Sequence, residues 1–232
     1  MKYLGSKAKI AKYILPIILK DRIEGQWYVE PFIGGCNTIK NVKDPRIGND
    51  NNYYLIQMWR AFQEGWAPPL NLDEPLYNDI KINKDNYPPY LVGYVGFNLS
   101  FGSRFFGGIA RCKNPKRNYC EESYKNLSKD IPKIKNILFY NEDYKDLRIP
   151  KNSIIYCDPP YENVFNYNSK FDHKEFWNWC NIQIKLGNQV FVSEYQAPED
   201  WITVWQKEHQ HCFSFNRINK TTIIEKLFTK FS

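Results

Sequence analysis

Apolar and polar positions alternate along this chain in a pattern of short apolar runs separated by amphipathic stretches, with one long interruption. "GSKAKIAKYI" after Tyr3 predicts a helix start capped by Ser6, with Ile10, Ala11 and Ile14 on one face; Pro16 either kinks that helix or begins a second. "QWYVEPF" (26–32) predicts a short strand entering a turn, and "RIGND" (46–50) a second strand that ends at an acid. Between Asn51 and Glu64, Leu55, Trp59 and Phe62 recur at i, i+4 and i+7, the spacing of a helix face. From Gly65 to about Lys135 the period is lost. Paired prolines at 68–69 and 88–89, scattered aromatics and "FGSRFFGG" mark this stretch as an insertion. Strands resume with "NILFYN" (136–141) and "SIIYCD" (153–158). "HKEFWNWCNIQIKLG" (173–187) predicts a helix with a C-terminal glycine stop, and "NQVFVSEY" (188–195) a further buried strand. "PEDWITVWQKEH" (198–209) is expected to be a helix that opens with Pro and acids, and "HCFSFN" with "TIIEKLFTKF" a closing hairpin.

Strands alternating with helices imply an α/β class: a Rossmann-like, mostly parallel sheet with helices on both faces. The expected organisation is a main domain built from residues 1–64 and 136–232, with 65–135 inserted as a smaller subdomain. A hydrophobic fraction of 43% is ample for its core. The aromatic share of 17%, with 17 Tyr, 15 Phe and 7 Trp, is high; some of those rings belong to the core, but rings on a basic surface are also stacking platforms for bases.

Charge adds a direction. The net charge of +7 makes a polyanion a plausible partner, and its distribution says more. From Asn86 to Cys120 there is no acid, while Arg104, Arg111, Lys113, Lys116 and Arg117 are all basic, so this segment alone supplies +5. The six cysteines form no C-x-x-C and the three histidines no H-E-x-x-H, so no metal is expected. Free thiols in a reducing cytoplasm are the expectation. The apolar run "ILPIIL" is far too short to span a bilayer, and no secretory signal is present, so no membrane association is expected. Abundant Lys, Asn, Ile and Tyr fit an AT-rich genome, a bacterium's or a virus's.

In open α/β sheets, ligands bind at the carboxyl ends of the strands. Three predicted strands here end in acids or glycines: "VEPFIGG", "IGND" and "IIYCDPPY". Gly34 and Gly35 would let backbone approach a ligand closely. Asp50 stands where an acid accepts ribose hydroxyls in dinucleotide folds, yet no G-x-x-x-x-G-K-[ST] or G-x-G-x-x-G is present. That combination suits an adenosyl ligand without a pyrophosphate. In "DPPY", the Asp158 carboxylate is an acceptor only. Pro159 and Pro160 stiffen the turn, so the carbonyl between them becomes a second directed acceptor, and Tyr161 offers a ring on which a base can stack. Two acceptors around one exocyclic amine make its nitrogen nucleophilic. A methyl group held in line would complete the reaction. Taken singly, "DPPY" and "FIGG" read as turns and "YLGSK" as a capped helix. Their occurrence together, in order and each at a segment edge, favours a site.

These motifs resemble those of the Dam-type (D12 class, alpha group) adenine-specific DNA methyltransferases, over nearly the whole length. "KYLGSK" resembles the N-terminal motif that touches the donor, which implies Tyr3 and Lys7. "YVEPFIGGCN" resembles the motif lining the methionine end, implying Phe32, Gly34 and Gly35, and "GNDNN" the motif whose acid binds the ribose, implying Asp50. "YNEDY" is similar to the segment meeting the donor's adenine, implying Asp143 and Tyr144. "CDPPY" resembles the catalytic motif, implying Asp158, Pro159, Pro160 and Tyr161, with Asp158 between donor and target base. The resemblance implies the S-adenosylmethionine-dependent methyltransferase fold, S-adenosyl-L-methionine as cofactor and double-stranded DNA as partner. It also implies base flipping and direct transfer to the adenine amino group. It places target recognition in 65–135, with Arg104, Arg111, Lys113, Lys116 and Arg117 as phosphate contacts. "YVGFNLSFGSRFFGGIARCK" departs from the fuller Arg/Asn/Gly pattern of members that read GATC, so the recognition sequence does not follow. A restriction endonuclease partner, and either a monomer or a weak dimer, stay open. So do an amino-methyltransferase of RNA, of cytosine in DNA or of protein glutamine, and a non-catalytic DNA-binding relative.

Overall fold

The apolar runs too short for helices do become strands, and they assemble into one sheet. The computed structural model describes residues 1–111, 118–161, 171–212 and 220–231, without the side chains of 209–212 and 220–223. The strands are β1 (Tyr28–Glu30), β2 (Arg46–Asn49), β3 (Ile137–Tyr140), β4 (Ile154–Cys157), β5 (Gln189–Glu194), β6 (Ile202–Cys212) and β7 (Lys220–Thr229). Their order is β3-β2-β1-β4-β5-β7-β6. Pairing is parallel from β3 through β5, with Tyr28 of β1 opposite both Arg46 and Ile154. β7 runs antiparallel to both β5 and β6, so it alone is reversed. The strand order turns round between β1 and β4, and the crevice beyond their carboxyl ends is where such a sheet takes a ligand.

β1, β2 and β4 are buried along their whole length; β4 accordingly reads as a continuous apolar run, while β1 and β2 carry the buried polar residues Glu30, Arg46 and Asn49. On one face, Tyr28, Ile137, Ile154, Tyr156 and Leu227 pack with α1 (Ala11–Ile18), α2 (Tyr53–Gln63) and α4 (Pro89–Asn98). On the other, Val29, Ile155, Cys157, Val190 and Phe228 pack against α7 (His173–Lys185). Helices therefore cover both faces. α2 starts where Asn52 Oδ1 accepts from the Leu55 amide at 3.0 Å, and α7 where Asp172 Oδ1 accepts from Glu175 at 2.9 Å. Pro16 lies inside α1, which ends two residues later.

Two expectations change. The stretch 198–209 is not a helix: Pro198 closes a turn by accepting from the Trp201 amide at 3.0 Å, and β6 begins at Ile202. The run Ile202, Thr203, Val204, Trp205 is β-branched and aromatic, and pairing along the length of β7 outweighs the Pro-and-acid helix signal. The stretch 65–135 carries α3 (Glu74–Ile82), α4, α5 (Tyr119–Ser128) and α6 (Ile131–Ile134). α4 hid from the periodicity because Val92 through Phe97 are all buried, which leaves no polar face to mark a turn. Gly93 permits that depth, since a Cβ there would lie 2.1 Å from the Tyr54 carbonyl oxygen of α2.

Among the described residues, no helix is long and apolar enough to cross a membrane, and no group of His, Cys, Asp and Glu could hold a metal ion. Cys36, Cys120, Cys157 and Cys180 are buried free thiols.

Candidate functional site

Three turns at the carboxyl edge of β1, β2 and β4 build the site. After β1 the chain makes the Gly34–Gly35 turn. Gly34 has φ +45°, and a Cβ on it would sit 2.7 Å from the Tyr3 ring. A Cβ on Gly35 would lie 2.8 Å from that of Tyr3. The close approach that these glycines allow is thus taken up by Tyr3. The turn is held from below by α2, whose Trp59 Nε1 donates to the Gly34 carbonyl at 3.0 Å.

Past β2, Asp50 accepts from the Gly34 amide at 3.1 Å through Oδ2 and from the Asn52 amide at 2.9 Å through Oδ1. Desolvation pushes its carboxyl up to about 6, against the pull of those two amides. The preceding residue, Asn49, is buried and ties three strand ends together. Its Nδ2 donates to the carbonyls of Pro31 and Glu142 at 3.1 and 3.0 Å, and its Oδ1 accepts from the Glu142 amide at 3.0 Å. Phe32 and Tyr144 meet at 5.3 Å between ring centroids, in an aromatic cluster with Phe171 and Phe176. Asp143 is exposed beside that cluster and accepts from the Lys145 amide at 3.0 Å.

Past β4, Asp158 opens the third turn. Lys7 Nζ lies 2.7 Å from Asp158 Oδ1 and 3.6 Å from Glu225 Oε1 of β7. It also donates to the Gly5 carbonyl at 3.1 Å and stands 4.5 Å from the Tyr161 ring centroid. The Tyr161 hydroxyl donates to the same Glu225 oxygen, and its ring meets Tyr195 edge-on at 4.6 Å. Lys7 is 8% exposed and Asp158 22%, so the pair is drawn into the protein yet open on the acid's side. Burial raises the Asp158 carboxyl to about 6, with Lys7 beside it limiting the rise. Burial lowers the Lys7 ammonium, but Asp158 and Glu225 outweigh it, so its pKa lies above the usual lysine value. Burial, with Asp158 and Glu225 nearby, pushes the Tyr161 hydroxyl well up, keeping it a donor. Glu30, at the end of β1, is buried beneath the site. It accepts from the Tyr28 hydroxyl at 2.8 Å, and burial pushes its carboxyl well above the normal range.

One segment joins the first turn to the third, and Asp50 ties the second to the first through the Gly34 amide. Tyr3 lies on Gly34, and Lys7, four residues on, lies on Asp158. Asn37 fixes that segment by donating to the Met1 carbonyl at 3.0 Å and to Ser6 Oγ at 2.8 Å. Ser6 Oγ in turn caps the Lys7–Lys9 turn by accepting from Ala8 at 3.2 Å. Tyr3, Lys7, Gly34, Gly35, Asp50, Asp158 and Tyr161 are thereby brought together. Pro159 and Pro160 follow Asp158 outside any helix or strand. Arg104 is exposed after the Phe101–Ser103 turn, and Arg111 is exposed and paired with Glu74. Lys113, Lys116 and Arg117 lie outside the described residues. Sequence reasoning missed Glu225, Tyr195, Trp59, Asn49 and Asn37. Glu225 alone carried a signal, an acid inside the apolar run "TIIEKLF".

Known proteins share this sequence pattern. The model of the D12 class N6 adenine-specific DNA methyltransferases matches residues 3–102 and 91–199. Two DNA adenine methylases, from Salmonella typhi and Salmonella typhimurium, are each 28% identical over 194 residues, covering 69% of this chain and 64% of the relative. The chain thus spans less than two thirds of the length of those relatives. Among solved structures, a Haemophilus influenzae protein assigned as a methylase aligns with 98% of this chain and 100% of its own, at 11% identity and a TM-score of 0.38. A protein assigned as a methyltransferase and solved with SAH aligns over 100% of this chain and 54% of its own, at 11% identity and 0.41. The chain belongs to the D12 class N6 adenine-specific DNA methyltransferase family.

Proposed function

We propose that this member of the D12 class is a site-specific DNA methyltransferase, which moves a methyl group from S-adenosyl-L-methionine to the exocyclic amino group of an adenine in double-stranded DNA. One observation carries the reading: residues 3–7 lay Tyr3 on the glycine turn and Lys7 on the acidic turn, so donor cradle and amine acceptor form a single site.

The cradle suits an adenosyl donor. Asp50 offers a carboxylate for ribose hydroxyls, Phe32 and Tyr144 offer apolar ring surface, and no phosphate loop is present for a pyrophosphate that the donor lacks. The residues that would hold it are Tyr3, Lys7, Phe32, Gly34, Gly35, Asp50, Asp143, Tyr144 and Asp158. When bound, the donor supplies a sulfonium-activated methyl carbon to any nucleophile aligned with it.

The chain's own residues supply the alignment. Asp158 and the Pro159 carbonyl accept from the target amine, which keeps its lone pair available for attack. Ionised Asp158 also faces the proton that the amine must shed on becoming a secondary amine. Tyr161 gives the base a ring to lie against. An adenine inside a duplex cannot reach this turn, so the target leaves the stack. Residues 65–135 act as the target-recognition region, with Arg104, Arg111, Lys113, Lys116 and Arg117 on phosphates. The test is expression in a host free of adenine methylation, followed by methylation-sensitive sequencing. The reading requires N6-methyladenine at one short recurring sequence; an unmodified genome, or a mark on cytosine, rejects it.

A further inference from the structure

Two carboxylates share one ammonium beside the amine acceptor. Lys7 Nζ is 2.7 Å from Asp158 and 3.6 Å from Glu225. Lys7 occupies one lone-pair site, on Asp158 Oδ1, and leaves the carboxylate further sites for an amine, but an ammonium this close draws down the charge that makes the acid a strong acceptor, so its hold on the amine strengthens if the ammonium moves away. Withdrawing Lys7 into the apolar interior would strand a buried charge. Glu225 offers the alternative, because a shift of about an ångström would bring the ammonium within charge-assisted hydrogen-bond range of it. Its Oε1 is fixed by the Tyr161 hydroxyl, and the Tyr161 ring already faces the same ammonium at 4.5 Å. Glu225 lies on β7, beyond residues 3–199 that the family model matches.

We propose that Glu225 is a positioning residue that receives the Lys7 ammonium from Asp158 when the target amine enters, while anchoring the Tyr161 hydroxyl. The proposal rests on the function inferred above. No covalent bond is made or broken in the exchange: Lys7 stays protonated, its ion pair with Glu225 shortens as that with Asp158 lengthens, Asp158 gains a neutral donor, and the net charge of the site is unchanged.

Glu225→Gln separates charge from scaffolding, because its amide oxygen still accepts from Tyr161. The expected result is a kcat at least ten-fold lower, with the duplex KM and the donor-free duplex Kd changed less than three-fold. Glu225→Asp, which restores the charge, should recover at least three-fold over the Gln variant. In protein carrying isotopically labelled lysine and no donor, the Lys7 ammonium resonance should shift when target duplex is added, and should not shift in Glu225→Gln. A Gln variant with wild-type kcat overturns the proposal. So does a Lys7 resonance that ignores duplex in the wild-type protein, a readout that stands even if the Gln variant does not fold. Wild-type protein that methylates no DNA would instead overturn the underlying reading.

Discussion

In the proposed mechanism three demands meet on the Asp158 carboxylate: it must be ionised, reachable, and held still. Its partial exposure and its pair with Lys7 meet the last two. Ionisation sets a pH requirement. Burial raises its pKa to about 6, so below that value the acid is protonated and loses acceptor strength towards an amine. We expect kcat/KM, which reports the free enzyme, to rise with pH through about 6 and level off above it, read from initial rates at low duplex concentration; a limb centred near the ordinary value of 3.8 would contradict that environment. Asp50, also raised to about 6, should make donor binding weaken as pH falls through the same window, by calorimetry. Replacing the carboxylate, Asp158→Ala, should lower kcat by about 10²–10³-fold, the scale for losing a preorganised electrostatic partner, with the duplex Kd within about two-fold. Unchanged turnover would remove Asp158 from the mechanism. The acid and its prolines were legible because "DPPY" closes a wholly apolar strand. Tyr195 was not, and Glu225 only as an acid inside an apolar run, since what gives both their meaning is the return of β7 beside β5, a tertiary event.

Among the elements, the Gly34–Gly35 turn shows how a strand end becomes a cradle. Its φ of +45°, the hydrogen bond its amide donates to Asp50 and the one its carbonyl accepts from Trp59 of α2 all converge on one residue. Gly34→Ala would drive a methyl group into the Tyr3 ring at 2.7 Å and strain the backbone. We expect a loss of about 1–3 kcal/mol in stability and at least a ten-fold weaker donor Kd, measured by thermal unfolding and calorimetry. A variant that binds donor like the wild type would show that Tyr3 has room to yield. Of the elements themselves, β1 to β5, α2 and α7 follow from periodicity, since each presents a uniform buried run or one apolar face. β6 does not: helix-start residues precede it, and only its pairing with β7 decides its state. α4 fails for the opposite reason, as burial on every side erases the helical period.

For the whole molecule, the sheet sets the site at one edge and the chain's excess charge lies elsewhere in sequence. The segment 86–120 holds five basic residues and no acid. Arg111 is partly neutralised by Glu74, so we expect it to matter less than Lys113, Lys116 and Arg117. Neutralising those three together should flatten the dependence of log Kd on log salt by about 0.9 for each phosphate left without its cation, in fluorescence anisotropy with duplex DNA. An unchanged slope would move the DNA surface to another face. If the acidic turn that residues 3–7 bridge to the donor cradle aligns a target amine, the purified protein must methylate adenine in DNA and must need Asp158 to do so. The most direct measurement is nucleoside analysis of duplex DNA after incubation with purified protein and methyl-labelled S-adenosyl-L-methionine. Label is expected in N6-methyldeoxyadenosine for the wild-type protein and next to none for Asp158→Ala. Label on another nucleoside, no label at all, or equal label from both proteins would contradict that alignment.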